Sequence, residues 1–151
     1  MQASFTIDES LRPLIISRFS GRATDADYES FLAQGSAFLQ RGERYVNGID
    51  LSRLEVPTAA QRWRQAEWLE THAELMQERL LGCALVITSP FLRMTLSVIH
   101  HVRPIPVPFV VVSDVASGVE WSVARLEEAG LAAPQGLIRQ RFGRLSRWSA
   151  G

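Results

Sequence analysis

Three short runs, apolar almost throughout, most constrain what this chain can fold into: Tyr45 to Leu51, Cys83-Ala84-Leu85-Val86-Ile87 and Phe109-Val110-Val111-Val112. Strands of that kind bury both faces, as parallel strands do when helices cover each side of the sheet. Segments with helical spacing lie between them. Thr24-Asp25-Ala26-Asp27 supplies an N-cap and acidic first-turn residues, and Tyr28, Phe31, Leu32, Gly35, Phe38 and Leu39 follow on one stripe up to Gly42. The spacing predicts a second helix over 58–80, with Ala59, Trp63, Ala66, Leu69, Ala73, Met76 and Leu80 facing the core and Gly82 just past its end. Ser89-Pro90 open a third helix that runs to about Val102, before Pro104, Pro106 and Pro108. Asp114 or Ser113 caps a fourth through Val119, Val123 and Leu126, stopped by Gly130.

Ahead of these, Phe5 and Ile7 alternate with polar neighbours, and Leu14-Ile15-Ile16-Ser17-Arg18-Phe19 follows a polar turn. That pair predicts an edge hairpin. The expected fold is α/β: a single domain with a mixed sheet of about five strands, an N-terminal edge hairpin and about four helices. At 151 residues, 46% hydrophobic and 21% charged, one core accounts for the chain. Residues 1–130 form the expected domain and 131–151 a basic amphipathic tail, with Ile138, Phe142 and Leu145 on one face.

Several function classes are disfavoured. All 16 basic residues are arginine, and Arg139, Arg141, Arg144 and Arg147 follow the last acidic residue, Glu128, which leaves the body acidic. The body is therefore no nucleic-acid surface, and no nucleic-acid partner is expected. Cys83 lies alone in an apolar run and reads as a structural thiol in a reducing compartment. The start lacks a signal-peptide pattern and no apolar run approaches a membrane span, so the expected location is cytoplasmic. His72, His100 and His101 lack metal-ligand spacing, and neither a nucleophile elbow nor a Gly-rich phosphate loop occurs. No enzyme activity, metal or cofactor is expected.

The order of elements resembles STAS domains, in particular the bacterial SpoIIAA-like proteins often described as STAS/Sec14-like. The likeness covers roughly residues 4–130. It is carried by Phe19-Ser20-Gly21-Arg22-Ala23-Thr24-Asp25-Ala26-Asp27-Tyr28, by Ile49-Asp50-Leu51-Ser52 at the end of the third strand, and by Ala116 to Leu126 with Trp121. In the antagonists of that group an Asp-Ser-Ser-Gly follows, its serine phosphorylated by a partner kinase. Here Thr58 stands at the motif's Asp and Ala59 and Ala60 at its serines, so the acceptor serine is missing. Thr58 reads as an N-cap, with a phosphate at this helix start as the alternative.

The resemblance implies a non-enzymatic regulatory module acting through a protein partner or self-association; the alternative is a carrier or sensor of a lipid-like ligand, with contact to a membrane surface. Strand ends and helix starts collect Asp50, Ser52, Thr58 and Ser89, together with Thr88, Ser113 and Asp114, where open α/β sheets place their crevice. Trp68, His72 and Leu75 form a second apolar face on the second helix, and Leu92, Leu96 and Ile99 lie opposite Phe91, Met94, Val98 and Val102 on the third. A helix apolar all round must bury both sides. Trp68, Leu75, Leu92, Leu96 and Ile99 are the expected interface or pocket, and the tail is expected to cover these helices, either on its own domain or in a domain-swapped dimer.

Overall fold

The structure, a computed structural model, describes residues 4–143. Its elements are β1 (Ser4–Asp8), β2 (Leu14–Gly21), α1 (Asp25–Gln40), β3 (Tyr45–Leu54), α2 (Ala59–Arg79), β4 (Leu80–Val86), α3 (Pro90–Val102), β5 (Phe109–Val112), α4 (Val115–Glu128) and α5 (Gln135–Phe142). The five strands lie in chain order, β1 antiparallel to β2 and the rest parallel.

Sequential parallel strands fix where the helices go. Each crossover from β2 to β5 moves one strand along in the same direction, and right-handed crossovers so arranged put their helices on one face. α1, α2 and α3 form that layer. Tyr28, Leu32 and Leu39 of α1 and Trp68, Leu69 and Met76 of α2 pack there on Ile15, Phe19, Tyr45 and Cys83 of the sheet. α4 crosses to the other face, where Val119, Val123 and Leu126 meet Leu14, Ile16 and Val46.

Capping agrees with the sequence at the starts of α1 to α4. Thr24 and Thr58 both form capping boxes, with Asp27 and Gln61, while Ser89 and Asp114 accept from Leu92 and Ser117 N–H groups.

Three boundaries depart from expectation. β3 runs on to Leu54, because Ser20 and Gly21 of β2 pair with Arg53 and Leu54; Asp50-Leu51-Ser52 is thus inside the strand and not at its exit. β4 begins at Leu80 with no loop after α2. Gly82 is consequently a strand residue and not a helix cap; a Cβ there would lie 2.7 Å from the Trp121 ring. The tail contributes an additional helix, α5, giving five helices in place of about four.

α5 does not cover α2 and α3. Its Ile138 is fully buried on the opposite face, with Leu11, Leu14 and Val119, and Phe142 packs against that cluster. Arg141 anchors it by pairing with Asp8 and donating to Ser10 Oγ at 2.9 Å. Arg144, Leu145 and Arg147 lie outside the described residues.

Candidate functional site

At the carboxyl end of the sheet, Asp50 and Ser52 occupy one another. Asp50 Oδ1 accepts from the Ser52 backbone N–H at 3.0 Å and from its hydroxyl at 2.6 Å, while Oδ2 is 3.9 Å from Arg18 Nε. Thr88 Oγ1 approaches Ser52 O at 3.5 Å. Thr58 Oγ1 accepts from Gln61 N–H at 3.1 Å, and Ser89 Oγ from Leu92 N–H at 3.3 Å. These four expected crevice residues are engaged in local capping and turn bonds. Asp50 also borders a recess of about 10 Å³ beneath α4.

Gln61 is the polar residue that composition and spacing missed. It is buried, its Oε1 accepts from Thr58 N–H, and its Nε2 donates to Ala23 O at 2.9 Å and Asp25 Oδ1 at 3.0 Å. One side chain therefore ties the start of α2 to the start of α1.

The large cavity lies elsewhere, between the sheet and the α1–α3 layer. Its volume is about 170 Å³. Trp68, Leu92, Leu96 and Ile99 line it; Leu75 does not, though it packs against the same core. Among the described residues, no Asp, Glu, Arg or His contributes to its wall. The floor carries Asn47 on β3, flanked in the ladders by Ile15 and Cys83. Asn47 Oδ1 is buried without a hydrogen-bond partner among the described residues. The sequence signal for it is a single amide inside the apolar stretch Tyr45-Val46-Asn47-Gly48. Near the wall's other polar groups, Tyr28 donates to Gln65 Oε1 at 3.1 Å, and burial pushes its phenol up to about 12. Burial likewise pushes the Cys83 thiol up to about 12 and the Tyr45 phenol upward.

Ala66, Leu69 and Met76 of α2 are buried as expected, but Trp63 of the same stripe is not. On α2, Trp63 is 68% exposed, whereas Trp68 is buried, its Nε1 donating to Ser36 Oγ at 3.0 Å and its ring stacked on His72. Gly35 lets α1 approach that indole: a Cβ there would be 3.1 Å from the ring. On α3, Leu92, Leu96 and Ile99 turn inward, and Phe91, Met94, Val98 and Val102 outward, Phe91 being 69% and Met94 59% exposed. That outer stripe follows i, i+3, i+7, i+11. His72 and His100 serve packing: His72 Nδ1 bonds Trp68 O, and His100 Nδ1 accepts from Ile105 N–H. Among the described residues, no group of three or more His, Cys, Asp or Glu is placed to hold a metal. Nor is any described helix long and apolar enough to cross a membrane.

No family model and no curated protein matches the sequence. Solved structures do match. An uncharacterized protein of the DUF3478 family with a SpoIIAA-like fold, from Shewanella loihica PV-4, superposes with a TM-score of 0.59 at 16% identity, covering 80% of this chain and 94% of its own. The anti-sigma factor antagonist SpoIIAA in its unphosphorylated form gives 0.56 at 13% identity, over 85% and 99%. The fold is SpoIIAA-like. An anti-sigma factor antagonist from Mycobacterium paratuberculosis adds a TM-score of 0.52 at 12% identity, over 80% and 93%. At these identities the likeness is one of fold. Within this SpoIIAA-like fold, Thr58 is the cap of α2 and Ala59 and Ala60 are its first two residues.

Proposed function

We propose that the protein is a non-enzymatic regulatory module that works through protein contacts, and that its contact face is the outer side of α3. The observation that carries this reading is the stripe Phe91, Met94, Val98 and Val102, four apolar side chains presented to solvent on one helix. Such contiguous exposure marks interaction sites in soluble proteins. Two of the structural neighbours are named as antagonists of anti-sigma factors, so their action is exercised on another protein. The partner assigned here is a second copy of this chain. Light scattering after size exclusion tests it: the wild type should exceed monomer mass, and Phe91→Asp with Val98→Asp should return it to monomer. A wild type that is monomeric at every concentration contradicts the reading.

The cavity supports a second reading, carriage or sensing of a small apolar ligand. α3 links the two, since its inner Leu92, Leu96 and Ile99 would touch that ligand while its outer side meets the partner. Binding below the helix would thus reach the contact face directly.

A further inference from the structure

We propose, building on the ligand reading, that the cavity takes a small uncharged amphiphile about the size of one substituted aromatic ring, held by a hydrogen bond to the Asn47 side-chain amide. Size comes from the volume, about 170 Å³, close to the roughly 150 Å³ of an engineered apolar cavity that accepts benzene. A diacyl lipid would not fit within it.

Charge is set by the wall. A carboxylate or ammonium entering it would lose its hydration with no counter-ion, because among the described residues no Asp, Glu, Arg or His lines the cavity and the chain has no Lys. Orientation is set by the floor. Three buried side-chain polar atoms lack a partner among the described residues, Asn47 Oδ1, Arg79 Nε and Arg125 Nε, and of these residues only Asn47 lines the cavity. Tyr28 and Gln65 already bond one another. The terminal torsion of an asparagine is broad and two-fold, so the amide can turn its carbonyl toward a ligand donor. Asn47 stands on the central strand β3, beneath the α1–α3 layer, so a ring above it would contact Trp68, Leu92 and Leu96 on the roof.

The test uses the full chain and three ring probes of one shape: p-cresol, toluene and 4-methylbenzoate, titrated by calorimetry or NMR. The expected order is p-cresol about five- to tenfold tighter than toluene, with 4-methylbenzoate at least about a hundredfold weaker than p-cresol. Asn47→Leu should erase the preference for p-cresol over toluene while toluene still binds. Asn47→Val is the second variant, and melting temperatures no lower than wild type confirm that both are folded. Equal binding of p-cresol and toluene, unaltered by either substitution, overturns the Asn47 assignment but leaves the ligand reading standing. Tight binding of 4-methylbenzoate overturns the neutral-ligand assignment. If no probe binds the wild type, the ligand reading itself fails.

Discussion

Asn47 on β3 and Cys83 on β4 are register partners, so an amide whose oxygen has no partner among the described residues and a buried thiol lie side by side on the floor of one apolar cavity. Neither group is charged there. Their pairing under α1–α3 gives the interior two chemical reporters, one for ligand binding and one for opening of the layer above.

The thiol and the two tyrosines predict alkaline instability. Cys83 and Tyr28 are held up at about 12 in the folded chain by burial, and Tyr45 is raised as well. Unfolded, these groups ionise near their ordinary values of about 8.5 to 10. The stability from keeping them neutral is therefore fully present below about pH 8.5 and is lost as pH rises through about 12, by up to roughly 1.4 kcal/mol per pH unit per group. Urea midpoints should be level from pH 7 to 8 and fall steeply above pH 9.5. At pH 8 a thiol reagent should label native Cys83 about a thousandfold more slowly than the urea-unfolded chain. Rapid native labelling would show that the helix layer opens readily.

Gly82 predicts a clash of known partners. A Cβ at this position would meet Trp121 Cη2 at 2.7 Å and Pro108 O at 3.2 Å. Gly82→Ala should cost about 1–3 kcal/mol by overpacking. In a double-mutant cycle Trp121→Leu should recover part of that loss. Additive losses would place the strain on the Pro108 carbonyl.

The buried amide of Gln61 outweighs the cap it completes. Thr58→Ala removes a capping hydroxyl at the start of α2, a loss of about 1 kcal/mol. Gln61→Ala removes a buried group bonded to Thr58 N–H, Ala23 O and Asp25 and leaves partners unsatisfied, so it should cost about 2–3 kcal/mol. Chemical denaturation of both variants checks the order; equal losses would mean that water replaces the amide.

The sheet and its helix starts were legible because apolar runs and capping residues are local signals. Thr24, Thr58, Ser89 and Asp114 each cap the helix that the sequence assigned to them, Asp114 being one of two choices. Facing was less so. Trp63 and Trp68 each belong to an apolar series on α2, and what buries Trp68 is α1: Gly35 clears room for the indole and Ser36 accepts its N–H. Leu80 and Gly82 read as a helix end because glycine after a helix usually marks a cap, yet here glycine answers to Trp121, 39 positions away. Tail placement depended on the same kind of distant partner, Ile138 finding Leu11 and Leu14 and Arg141 finding Asp8. At Asn47 the reason is different. An amide in an apolar strand is visible in the sequence, but the cavity above it exists only once three helices are in place.

The central claim is that the outer face of α3 is where another copy docks. A dilution series of ¹⁵N-labelled protein, followed by amide NMR, tests it residue by residue. The account predicts that the signals of Phe91, Met94, Val98 and Val102 move together with concentration, while those of exposed Trp63 and of the edge strand Ser4–Asp8 stay in place. Spectra that do not change on dilution, or changes confined to the β1 edge, would contradict it.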